Sequence, residues 1–147
     1  MPISTRLQAW FASVFFSLYL LTGCDSTPAD KSVAVTGTLT NSGQPLKVEM
    51  AASGAGWVEL RFYPVDTAGA IGELNYQTMV NEKGEFKVLG PSNKGLPPGK
   101  YRVIVRQWEP YPTLDKLGGK YDETNSTITR EVAGPTKIEL DLAKLTP

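Results

Sequence analysis

Histidine is missing from all 147 residues of the chain, and cysteine occurs once, at Cys24. The first absence removes the side chain that titrates nearest neutral pH and the commonest metal ligand. Ser-His-Asp and Cys-His chemistry are thereby excluded within this chain. The second rules out an intramolecular disulfide, so the folded part must stand on its apolar core. A net charge of either sign is missing as well. Lys and Arg together number 15, as do Asp and Glu, and without Arg6 the balance is near −1. No basic stripe invites nucleic acid, and no polybasic run invites anionic lipid. Long apolar runs are scarce: there is one, near the N-terminus, and none in the C-terminal half.

That run, AWFASVFFSLYLL from Ala9 to Leu21, follows the single basic residue Arg6. A membrane-spanning helix needs about 20 apolar residues. This one is shorter and ends in small residues, the pattern of a secretory signal peptide. Leu21-Thr22-Gly23-Cys24 closes it. Small residues ahead of a lone cysteine, just past such a run, resemble the lipobox of a bacterial lipoprotein. The resemblance implies a diacylglycerol on the Cys24 thiol, cleavage just before Cys24, and acylation of the new amine. Two or three acyl chains hold a protein on a bilayer at about 0.8 kcal/mol per buried methylene. The expected organisation is a signal peptide over 1–23, the lipidated cysteine and a flexible tether over 24–32, and one domain over 33–147. The expected location is a bacterial membrane, facing the periplasm or the exterior. Inner and outer membrane both stay open.

The rest of the chain alternates in short segments broken by Gly, Pro and Asn. Val33, Val35 and Leu39 share one face, Asn41-Ser42-Gly43-Gln44 reads as a turn, and Leu46, Val48 and Met50 alternate after it. Trp57 to Tyr63 puts Val58, Leu60 and Phe62 inward and Glu59 and Arg61 outward. Leu74 to Val80, then Phe86 and Val88, flank the hairpin signal Asn81-Glu82-Lys83-Gly84. Gly90 to Gly99 reads as irregular. Tyr101 to Gln107 is the clearest strand, with Tyr101, Val103 and Val105 inward. A long loop from Trp108 to Asn125 precedes a final hairpin of Ser126–Val132 and Lys137–Leu142. No helical period of convincing length and no repeat is present. Seven or eight short strands predict an all-β, antiparallel sandwich. Parallel pairing would need long crossovers, usually helical, and none is apparent.

Leu96-Pro97-Pro98-Gly99-Lys100-Tyr101 resembles the tyrosine corner of immunoglobulin-like and fibronectin-like sandwiches. Val35-Thr36-Gly37-Thr38-Leu39 with Gly43-Gln44-Pro45-Leu46 resembles the opening of carboxypeptidase regulatory-like, or transthyretin-like, domains. Leu60 to Pro64, Asn81 to Phe86, Leu96 to Val105, Gly119-Lys120-Tyr121 and Ser126 to Val132 follow in the order of that family. The resemblance implies a prealbumin-like sandwich. It brings no catalytic residues, because in carboxypeptidases this domain is accessory to a separate catalytic one, and fold alone is a poor guide to activity.

Three side-chain groups are candidates for chemistry. Trp108, Tyr111 and Tyr121 could stack on sugar rings as a carbohydrate-binding module does, or plug the end of the sandwich. Asp115, Asp122, Glu123 and Asn125 place oxygens in one loop, but without the Asp-x-Asp-x-Asp-Gly run that calcium favours. Asn125-Ser126-Thr127 matches a glycosylation sequon. Carboxylate pairs for glycosidase work come from separate strands and cannot be seen in sequence. The expectation is a membrane-anchored, non-catalytic binding or structural module of the cell envelope, with no cofactor, no metal site and no nucleic-acid partner. Its partners would be the bilayer, through acylated Cys24, and an envelope protein or glycan. The alternatives are a carbohydrate-binding module and a carboxylate-dependent enzyme.

Overall fold

The computed structural model describes residues 31–145. The expected signal peptide, Cys24 with Leu21, Thr22 and Gly23, and the tether as far as residue 30 lie outside the described residues. Eight strands follow one another: β1 (Val35–Asn41), β2 (Gln44–Pro45), β3 (Trp57–Pro64), β4 (Tyr76–Val80), β5 (Glu85–Val88), β6 (Gly99–Trp108), β7 (Thr129–Val132) and β8 (Thr136–Asp141). Among the described residues the only helical pieces are single 3-10 turns at Ala51–Ser53, Pro91–Asn93 and Leu142–Lys144. None is long and apolar enough to cross a membrane.

Two sheets form. In the first, β1 is central, with β8 along one side and β5 and then β2 along the other. The second runs β4-β3-β6-β7 and is antiparallel throughout. The inner faces meet in one apolar cluster, as period-two alternation requires. Val35, Leu39, Phe86, Val88, Ile138 and Leu140 come from the first sheet. They face Val58, Leu60, Phe62, Tyr101, Val103 and Val105 from the second. Phe62 contacts Phe86 across the gap, with ring centroids 6.2 Å apart. The described residues thus form an all-β sandwich.

Three sequence expectations need correction. β1 and β8 pair in parallel over Val35–Thr40 and Thr136–Asp141. The crossover that parallel pairing demands is the whole intervening domain rather than a helix. The final hairpin does not form: β7 joins β6 in one sheet and β8 joins β1 in the other, so 133–135 cross between layers. Leu46, Val48 and Met50 are not a strand, since β2 stops at Pro45. Proline cannot donate to a ladder, and the amides of Glu49 and Met50 are bound elsewhere, as described below.

The turn and corner signals have local causes. Asn41 pairs with Gln44 across Ser42 (φ 55°) and Gly43 (φ 77°), the two left-handed positions of a type I′ hairpin. Asn81 and Glu85 close the next turn, but β4 and β5 then diverge into different sheets, bridged by the Thr78 hydroxyl donating to the Lys87 carbonyl at 2.8 Å. The Tyr101 hydroxyl donates to the Pro97 carbonyl at 2.6 Å, the bond of a tyrosine corner. Burial pushes that phenol up to about 12.

Gly37 sits at the centre of β1, opposite both Phe86 and Ile138. A Cβ there would collide with the Ile138 carbonyl and the Phe86 ring. A residue that reads as a weak point in an apolar strand is therefore what lets three strands and one ring approach. Gly37→Ala is expected to destabilise the domain by about 1–3 kcal/mol through overpacking. Urea titration should show a lower midpoint at unchanged slope, and an unchanged midpoint would contradict this account of the glycine.

Candidate functional site

The long connection after β6 dominates the polar chemistry of the molecule. β7 pairs only with Gly99–Arg102, so the far half of the β6 edge is left without a partner strand. Unpaired amides in a sheet are costly, and the loop supplies what is missing. Val103 N–H donates to the Ile128 carbonyl at 2.8 Å and Val105 N–H to the Tyr121 carbonyl at 3.0 Å. Gln107 N–H donates to Asp115 Oδ1 at 3.0 Å, and Glu109 N–H to the Leu114 carbonyl at 3.2 Å. The buried Ser126 hydroxyl donates to the Val103 carbonyl at 2.6 Å. The segment from Pro110 to Ile128 thus acts as an irregular ninth strand along β6.

Its acidic residues are spent on that task. Asp115 accepts from the amides of Gln107, Leu117 and Gly119, and Asp122 Oδ1 from those of Thr124 and Asn125. The Asn125 amide donates to the Gly119 carbonyl. Glu123 reaches over the outer face of the second sheet to Arg106 on β6 and to Arg61 and Tyr63 on β3. Burial works against charge on Glu123, but its own backbone N–H, Arg106 and Tyr63 outweigh it and hold the carboxyl below the ordinary range. The four oxygen donors named from sequence therefore serve turns and arginines. Among the described residues no cluster of three or more acidic or sulfur ligands could hold a metal.

The three aromatic candidates are not brought together. Tyr121 is 2% exposed, lies in the core, and donates its hydroxyl to the Leu142 carbonyl at 3.1 Å. Trp108 is half-buried on the outer face of the second sheet. Its indole N–H donates to Glu59 Oε2 at 2.7 Å, and the Arg106 guanidinium lies 5.3 Å from its ring centre. Tyr111 is 66% exposed and stands apart. Sequence reasoning missed Trp57, which sits directly opposite Trp108 on β3. It also missed the burial of Glu59, an outward residue sealed by Arg61 and the Trp108 indole.

Glu109 was not anticipated either. It is buried at the end of β6 and gathers three segments. Oε2 accepts from the amides of Glu49 and Met50 at 2.8 and 3.4 Å. Oε1 accepts from Gln107 Nε2 at 2.7 Å and from Lys116 Nζ at 2.6 Å. Gln107 Nε2 also reaches the Lys47 carbonyl at 3.0 Å. The Lys116 ammonium, with those amide donors, overcomes burial and holds the Glu109 carboxyl below the ordinary glutamate range. No single residue type announced this, because the partners are backbone amides some 60 positions away.

The chain matches no family model, no curated protein and no solved structure.

Glu109→Ala should cost about 3 kcal/mol, since it strands buried donors as well as removing the ion pair. Lys116→Met should cost far less, because Lys116 is 45% exposed. The Glu109 contribution is full above the ordinary glutamate range and is lost as pH falls through its lower folded-state value. Urea titrations across acidic pH should therefore show a flatter stability profile for Glu109→Gln than for the parent. Equal slopes would contradict the role given to this carboxylate.

Proposed function

We propose that this chain is a lipid-anchored protein of the bacterial cell envelope. Its transthyretin-like sandwich serves as a non-catalytic binding or structural module, moored through acylated Cys24. The observation that carries the reading is Leu21-Thr22-Gly23-Cys24 at the end of a short apolar run that follows one basic residue. The order of family-like motifs and the bond from the Tyr101 hydroxyl to the Pro97 carbonyl support the domain type.

A non-catalytic role is supported by how the candidate groups are committed. Glycosidase-type chemistry needs one protonated carboxyl of a pair, and Glu123 is held ionised beside Arg106. Asp115 and Asp122 cap turns of their own loop. A sugar-stacking role is left with Trp108 and Tyr111, because Tyr121 is a core residue. An envelope protein or glycan is the partner class this leaves.

Intact mass of protein extracted from membranes should match a chain beginning at an acylated Cys24. Cys24→Ser should abolish the acyl mass and leave the chain beginning upstream of residue 24, with the apolar run still attached. A free thiol on a parent chain still beginning at Met1 would contradict the anchor. Hydrolytic turnover of envelope polymers by the purified protein would contradict the non-catalytic role.

A further inference from the structure

Lysines distant in sequence converge where the chain enters the fold. Val33 is tied to Leu96 by reciprocal backbone hydrogen bonds of 2.8 and 3.0 Å, and the Gly95 amide donates to the Leu89 carbonyl at 2.7 Å. The 89–96 loop is thereby fixed beside the point at which the tether would leave. On the outer face of the first sheet, Thr36 of β1 stands opposite Lys87 of β5 on one side and Lys137 of β8 on the other. Lys31 and Lys94 are exposed at the same end. Residues 89–100 contain no carboxylate, and Leu89 is 47% exposed among them.

The charge reverses one row further from the tether. Thr38 stands opposite Glu85 and Glu139, and Thr40 opposite Asp141. Same-face residues two apart on a strand are separated by about 6.7 Å. The outer face of this sheet is therefore basic toward the entry end and acidic away from it. Lys137 and Glu139 touch at 3.3 Å, but both are largely exposed, so the pair is weak and leaves the gradient in place. On the other sheet the same end carries Glu73, Glu131 opposite Lys100, and Asp66, whose Oδ1 is taken up by the amides of Ala68 and Ala70. The basic side is the first-sheet side.

Resting on the anchor reading above, we propose that this basic rim docks on an anionic lipid surface. Lys31, Lys87, Lys94 and Lys137 would face phosphate headgroups, with Leu89 at the headgroup boundary. Tether length and charge both argue for this occupant. Cys24 and Ser32 are eight positions apart, so Ser32, at the entry to the fold, can lie no more than about 28 Å from the acylated cysteine. Between Cys24 and Ser32 the linker carries Asp25 and Asp30 against Lys31 alone, so net attraction to anionic lipid has to come from Lys87, Lys94 and Lys137 on the fold. Lysines near an anionic surface act additively within a Debye length, and an anchor in cis supplies the effective concentration that four of them lack alone. The domain would then lean on the bilayer through the first sheet and present the Ser42–Gly43 and Glu82–Lys83 turns outward.

The test uses the mature lipidated protein in two vesicle types: phosphatidylcholine alone, and equimolar phosphatidylcholine and phosphatidylglycerol. Amide hydrogen exchange over 89–96 should slow several-fold on the anionic vesicles relative to the neutral ones. Exchange at the Ser42–Gly43 and Glu82–Lys83 turns should stay equal on both. High salt should erase the difference, as should the double variant Lys87→Glu/Lys137→Glu. Equal exchange over 89–96 on the two vesicle types would overturn the docking while leaving the anchor intact. Slowing at the outward turns instead would overturn it too. A chain whose mass carries no acyl group and which does not associate with either vesicle would overturn both.

Discussion

β6 is longer than the strand beside it, and most of the polar architecture follows from that mismatch. Three of its amides, at Val103, Val105 and Gln107, and that of Glu109 just past its end, point toward an edge that β7 does not reach. Water could satisfy them, but an open edge beside a buried core invites pairing with another chain. The loop from Pro110 to Ile128 closes the edge, and to do so it spends Asp115, Ser126 and the carbonyls of Leu114, Tyr121 and Ile128. Residues that looked like ligands for sugars or cations are the fittings of this strap.

The strap also explains why one outward face is not solvated. Ile104 points away from the core of the sandwich yet has no exposed surface. Arg61, its opposite number on β3, joins Arg106 and Glu123 in a layer of ion pairs over that face. Such pairs add little stability where water reaches them, but their geometry holds the strap down on the sheet. Glu109 does the corresponding work at the end of the sandwich, tying 47–50 and 116 to the last residues of β6.

Much of the fold was legible in the sequence because period-two alternation is a local signal. β3, β5 and β6 and the Ser42–Gly43 turn could be placed from it. Pairing partners were not legible, because alternation says which face is buried and nothing about the neighbour. That is why β7 and β8 looked like a hairpin and the parallel β1–β8 ladder was missed. The site was least legible of all. Tyr121 and Trp108 are both aromatics next to a loop, and only the fold sends one into the core and the other onto an arginine. Glu109 bonds backbone amides, which carry no residue identity to recognise. The four lysines of the entry rim come from four separate segments, so no window of sequence contains them.

The 110–128 segment works as a strand despite its irregular backbone. Native-state exchange of the Gln107 amide tests this most directly. That amide is bound only to the Asp115 side chain, so it reports the strap and not a regular ladder. Its protection should approach that of the Leu60 amide in the core. Exchange at the rate of an open loop, with Leu60 still protected, would contradict it.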